Sequence, residues 1–104
     1  MRMVAPFALT LGTIIGEATG GSSDNLAIPN DASGNKAKRI WVNVTSAAYI
    51  LPTTASGSVT STTGMVLSPG DGGIILEVAS STFVSIAHLQ VAAAGRISIA
   101  SVEN

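Results

Sequence analysis

The feature that most constrains the fold is a series of short runs rich in Val, Ile and Thr, separated by clusters of Gly, Ser and Pro. The run KRIWVNVT (Lys38 to Thr45) is typical. It places Ile40, Val42 and Val44 on one side and polar or aromatic residues on the other, which is the two-residue period of a strand. Turn signals that recur about every 8 to 12 residues predict an all-β sandwich or barrel.

This pattern predicts about eight short strands, which two facing antiparallel sheets of about four strands each would accommodate. We therefore expect a single antiparallel β-sandwich over residues 1–104, jelly-roll-like, with residues 1–6 as an N-terminal arm. The fourth run is expected to end at Pro52. The predicted strands are Phe7–Ile15, Asn25–Ile28, Lys38–Thr45, Ala47–Leu51, Met65–Leu67, Ile74–Val78, Phe83–Leu89 and Gly95–Val102.

The first twenty residues have two interpretations. Arg2 followed by an apolar stretch is typical of a signal peptide. Polar, Gly and Pro residues interrupt that stretch, however, and Glu17 stands where a small-residue cleavage site would lie. Phe7, Leu9 and Leu11 alternate with smaller residues, which favours a strand.

The charge content favours association with other protein surfaces. Charged residues make up 11% of the chain, against about 25% in ordinary globular proteins. Hydrophobic residues make up 46%, and the formal charge is −1. A near-neutral domain with so few charges tends to associate. The same balance argues against nucleic acid or an anionic membrane as a partner, and the sequence lacks the long apolar run of a transmembrane helix.

Residues that usually carry chemistry are sparse. The stretch from Ile40 to Gly70, which includes TTASGSVTSTTG, has no Asp, Glu, Lys, Arg, His or Cys, and the whole chain has no cysteine. His88 is the single histidine, and the nearest acids that precede it in sequence are Glu77 and Asp71. Because the acids are scattered along the chain, we interpret His88 as a structural or surface residue. We expect no enzyme activity, metal or cofactor.

Two aromatic residues have alternative interpretations. Trp41 and Tyr49 stand on the third and fourth predicted strands. Aromatic residues of this kind are common in cores and at protein contacts, and we favour that interpretation. The alternative is a platform on which a sugar ring stacks.

Three segments carry a family resemblance: RIWVNVTSAAYIL, then TASGSVTSTTGMVLSPGD, then IILEVASSTFVSIAHLQVAAAGRISIASVE. Together they resemble small β-rich structural proteins of tailed bacteriophages, several of which decorate the capsid as cement proteins. In such proteins an aromatic-apolar strand precedes a Thr-rich loop, and an "FVSIAHLQ" strand leads to a last "RISIAS" strand. The resemblance covers Lys38 to Val102 and leaves residues 1–37 outside it.

The resemblance implies a virion protein that decorates and stabilises the capsid by contacts with the major capsid protein, as a homo-oligomer and preferably a trimer. It would be made in the host cytoplasm and would lie on the capsid surface. A tail, fibre or head–tail junction component is the first alternative, and a carbohydrate-binding β-sandwich is the second. The residues that we expect at protein contacts are Arg2, Met3, Val4, Pro6, Phe7, Trp41 and Tyr49.

Overall fold

A computed structural model describes residues 9–54, 57–79 and 82–103 of the chain. These ranges contain eight strands and one short 3-10 turn, at Pro69–Asp71. The described residues contain no helix that is long and apolar enough to cross a lipid bilayer. The strands are β1 (Ile15–Ala18), β2 (Asp24–Ala27), β3 (Arg39–Val44), β4 (Ala48–Thr53), β5 (Met65–Leu67), β6 (Ile74–Glu77), β7 (Ser85–Gln90) and β8 (Arg96–Ser101).

The strands form two antiparallel four-stranded sheets. One sheet has the order β1-β8-β3-β6 and is called here the β1 sheet. The other has the order β2-β7-β4-β5 and is called the β2 sheet. The first strand pairs with the last, the second with the seventh, the third with the sixth and the fourth with the fifth. This nested pairing is that of a jelly roll, so the predicted fold class is confirmed.

One apolar cluster fills the space between the sheets. On β3 the inward residues Ile40, Val42 and Val44 are buried, as the sequence pattern predicts. The β2 sheet contributes Ile50 and Ile86, which are completely buried. Each buried Ile or Val side chain contributes roughly 1.5–3 kcal/mol relative to an exposed one, so this cluster is the main source of stability.

The first predicted strand, Phe7–Ile15, is wrong in its bounds. Of its described part, Leu11 makes an isolated bridge to Val102, and the regular ladder begins at Ile15, which pairs with Ile99. Ile15 lies four positions after Leu11, whereas Val102 lies only three positions after Ile99. One extra residue therefore interrupts the pairing here, in the manner of a β-bulge.

The fourth predicted strand continues past its expected end at Pro52. β4 includes Pro52 and reaches Thr53, whose carbonyl accepts a hydrogen bond from the Val84 N–H at 2.8 Å. Backbone groups of successive strand residues point to opposite sides, so the Pro52 nitrogen points toward β5. The pairing with β5 ends at Ile50, and so no partner there needs the N–H that proline lacks.

Candidate functional site

The two outer faces of the sandwich differ in charge. Within the described residues, none of the outward positions of the β2 sheet carries a charged side chain, because strand alternation assigns Asp24 and His88 to the inner face. We call this surface, with the loop 57–64 that lies on it, the uncharged face. Its outward positions are Asn25, Ala27, Tyr49, Leu51, Thr53, Val66, Ser85, Ala87 and Leu89.

A network of small polar side chains attaches the loop 57–64 to the uncharged face. The Asn25 side chain donates from Nδ2 to the Gly57 carbonyl at 2.7 Å and accepts from the Gly57 N–H at 3.3 Å. The Asn25 Oδ1 atom also lies 3.3 Å from the hydroxyls of Thr53 and Ser85. Those two hydroxyls are 2.5 Å apart. The loop without charges is therefore a structural cover for the sheet.

Val59 anchors the middle of this loop. It is 2% exposed, and its N–H donates to the Ser23 hydroxyl at 3.0 Å. A side chain at Gly64 would collide with Val59 and would come within 2.9 Å of the Tyr49 Cβ atom, which places Val59 beside Tyr49. Ala87, between Asn25 and Leu51 in the ladder, is completely buried although it points outward. We attribute its burial to the loop.

The part of the uncharged face beyond the loop is apolar. Val66 and Leu89 lie directly opposite Tyr49 on the neighbouring strands β5 and β7. The Val91 N–H donates to the Ala47 carbonyl, which extends the patch past the end of β7. Val66 is 54% exposed and Val91 is 40% exposed. Adjacent apolar residues without a charge among them are typical of a contact surface.

The outer face of the β1 sheet, called here the charged face, has a different composition. It carries Arg39, Glu77 and Arg96, and Arg39 and Glu77 are direct cross-strand partners. Trp41 is half-buried on this face and donates from Nε1 to the Gly72 carbonyl at 3.3 Å. Charges distributed in this way are typical of a surface that water solvates.

The structure separates the two aromatic residues singled out in the sequence. Trp41 lies on the charged face and Tyr49 on the uncharged face, so a single sugar ring cannot stack on both. Tyr49 belongs to the apolar patch, and its role at a protein contact stays a prediction. The other predicted contact residues, Arg2, Met3, Val4, Pro6 and Phe7, lie outside the described residues.

A second feature lies inside the sandwich. His88, on the inner face of β7, is completely buried, and its Nε2 atom is 2.6 Å from the Glu17 Oε2 atom. Glu17 lies on the inner face of β1, in the other sheet. A carboxylate is an acceptor, so the imidazole donates from Nε2. The His88 Nδ1 atom is buried and has no hydrogen-bond partner.

A third side chain completes this cluster. Asp24, on β2, is the direct cross-strand partner of His88, so both point to the same side of the sheet. One ligand atom from each of Glu17, Asp24 and His88 lies within 4.8 Å of the other two. Asp24 is exposed and Glu17 is 30% exposed. The cluster thus extends from a buried imidazole to an edge that solvent reaches.

Hydrogen bonds fix the backbone of the connection between β1 and β2, the strands that carry the two carboxylates. The Thr19 hydroxyl, which is buried, accepts a hydrogen bond from the Gly95 N–H at 2.9 Å. The Thr19 N–H donates to the Gly95 carbonyl, and the Gln90 N–H donates to the Gly20 carbonyl. These bonds tie the corner that follows Glu17 to the segment that follows His88.

Sequence reasoning does not predict this cluster. His88 is interpreted there as structural or surface, and the structure excludes the surface alternative, because the side chain is completely buried. Its carboxylate partner is 71 residues away, whereas Glu77 and Asp71 are nearer in sequence. The available signal was strand alternation. It assigns Glu17 and His88 to the inner faces of their sheets, because each is the direct cross-strand partner of a buried isoleucine, Ile97 or Ile50.

Two clefts lie elsewhere on the described surface. One, of about 380 Å³, is lined by residues of both charge signs, including Asp31, Lys38 and Glu103. The Glu103 carboxylate already accepts a hydrogen bond from the Ala32 N–H at 3.2 Å. The other, of about 220 Å³, is lined by both apolar and polar residues, including Ile28, Phe83 and Lys36.

Comparisons of this chain with models of known protein families, with curated proteins and with solved structures find no match.

Proposed function

We propose that this chain is a bacteriophage virion protein that decorates the capsid and stabilises it through non-covalent contacts, without catalysis. The observation that carries the proposal is the uncharged face. It spans a whole sheet and exposes apolar side chains beside the Ser and Thr residues of the loop 57–64. The phage context comes from the resemblance of the segment Lys38 to Val102.

The low charge of this face lowers the free-energy cost of covering it. Docking removes water from both surfaces, and an ion that loses its water without gaining a partner costs several kcal/mol. Hydroxyl groups cost less and find partners more readily, because one hydroxyl both donates and accepts. A shell of capsid proteins can therefore cover the uncharged face without desolvating charges.

The stabilisation follows from mass action. A protein that binds the assembled shell and not its free subunits lowers the free energy of the assembled state. At a free concentration 100 times the Kd, the gain is about 2.7 kcal/mol for each site. This role requires a rigid surface and no reactive group.

We further propose that the protein forms a homo-oligomer, with a trimer as the first choice. The edge strand β5 exposes Met65, which is 44% exposed, and an edge strand offers unpaired backbone groups to a neighbour. Sedimentation of the purified protein at tens of micromolar tests this. A single monomeric species over that range would contradict it.

The main test is the composition and structure of virions from the phage that encodes the chain. Mass spectrometry should detect the protein in purified particles, and cryo-EM should place the β2 sheet against the capsid. Density for the sandwich on a tail, a fibre or the head–tail junction would favour the first alternative and refute decoration. Absence from intact particles would refute both.

A further inference from the structure

We propose that Glu17, Asp24 and His88 bind a divalent transition-metal ion of the Zn²⁺ class at the corner between β1 and β2. The three side chains come from three strands and both sheets. The proposal concerns a site separate from the uncharged face, because all three side chains belong to inner faces. It does not depend on the proposed capsid role.

The donor set determines the class of metal. Imidazole nitrogen suits Zn²⁺ and its neighbours in the first transition row, whereas Mg²⁺ and Ca²⁺ prefer oxygen ligands. One imidazole and two carboxylates provide three protein ligands, and the exposed side of Asp24 leaves room for water as the fourth. Three protein ligands with one open position are typical of accessible zinc sites.

The geometry needs a small adjustment to admit the ion. Zinc lies about 2.0–2.2 Å from nitrogen and oxygen ligands, so two ligands of a tetrahedral site are roughly 3.4 Å apart. The His88 Nε2 and Glu17 Oε2 atoms are now 2.6 Å apart, and the whole ligand set lies within 4.8 Å. The Glu17 carboxylate would move outward and Asp24 would move inward. Both carboxylates reach solvent, so both can move.

His88 itself can remain where it is. When Nε2 binds the ion, the ring proton moves to Nδ1. The Nδ1 atom has no partner now, so the change replaces one unsatisfied buried acceptor by one unsatisfied buried donor. Asp24 keeps its role at the start of β2, where Oδ1 accepts from the Asn25 N–H at 2.8 Å, because Oδ2 is available for the metal.

The consequence for the fold is a cross-link between the sheets. β1 and β2 are edge strands on the same side of the sandwich, and the ion would join both of them to β7. An ion that binds the folded state and not the unfolded chain raises the free energy of unfolding in proportion to the logarithm of its concentration.

The test is a titration of the full chain with Zn²⁺ by calorimetry, and with Co²⁺ by visible absorption, which reports ligand number and symmetry. The variants are Asp24→Asn and Glu17→Gln, with Glu77→Gln as the control, since Glu77 is an exposed carboxylate on the edge strand β6. We expect binding of one ion by the wild-type protein and the control. Each ligand variant should raise the Kd at least about tenfold, because even outer partners of a metal ligand change the affinity by 10- to 100-fold.

Other results would overturn the proposal. These are no saturable binding to the wild-type protein at millimolar metal, equal binding by all variants, or a change in one ligand variant alone. Far-UV circular dichroism shows whether each variant is folded. His88→Gln is less informative because it alters a completely buried residue, and so the two carboxylate variants decide the question.

Discussion

The charged face and the uncharged face are built from the same number of strands but meet their surroundings differently. On the charged face, Arg39, Glu77 and Arg96 stand directly on the strands. On the uncharged face, the loop 57–64 covers part of the sheet, and both Val59 in the loop and Ala87 beneath it are almost completely buried. One face therefore relies on charges for its solvation, and the other on a layer of chain and on small hydroxyl groups.

The difference shows why a long stretch without charges is compatible with a stable domain. Thr53, Ser85 and Asn25 satisfy one another and the loop backbone, so burying them leaves few polar groups unpaired. The remainder, which consists of exposed Val66 and Val91 and half-buried Leu89, has no such cover. It is this remainder that we propose as the docking surface.

The largest expected effect comes from placing a charge beneath the loop. Ala87→Lys should lower the free energy of unfolding by about 3–5 kcal/mol, because the ammonium group would be buried without a partner. Ala27→Lys, on the same face but exposed, should change it by no more than about 0.5 kcal/mol. Urea denaturation measures both. Equal tolerance of the two lysines would show that the loop does not cover Ala87.

A smaller effect is expected from the anchor of the loop. Val59→Ala should cost about 2 kcal/mol, from the lost apolar burial and the cavity that remains. Val66→Ala removes the same atoms from an exposed position and should cost no more than about 0.5 kcal/mol. Thermal unfolding distinguishes them. If the two valines gave the same shift in Tm, the loop would contribute no packing.

The smallest effect on stability, and the most informative for function, is expected from exposed charges on the two faces. Val66→Lys and Ile75→Lys both alter exposed apolar residues on edge strands, one on each face. Each should change the free energy of unfolding by no more than about 0.5 kcal/mol.

Their effects on docking should differ. Val66→Lys should weaken capsid binding at least about tenfold, which corresponds to about 1.4 kcal/mol, because the lysine charge would be buried in the interface without a partner. Ile75→Lys should bind like the wild-type protein. Occupancy on purified particles measures this. A larger loss for Ile75→Lys would assign docking to the charged face.

The sequence alone determined most of the strands and their faces. Alternation in Arg39–Val44 and Arg96–Ser101 follows from the pleat, in which neighbouring side chains point to opposite sides, so the buried positions can be read from a few adjacent residues. The strand that fails, Phe7–Ile15, fails at an extra residue in its pairing with β8. A mismatch of this kind depends on the partner strand, and no local pattern reports it.

The tertiary structure decided which residues meet. His88 has no acid near it in sequence, yet the jelly-roll pairing brings β1, β2 and β7 to one corner and assembles the cluster from residues 17, 24 and 88. The cover over Ala87 likewise depends on Asn25 and Gly57, which are 32 residues apart. Periodicity is a local property of the chain, whereas ladder register and loop placement depend on contacts between distant segments, and so those contacts alone determine the candidate sites.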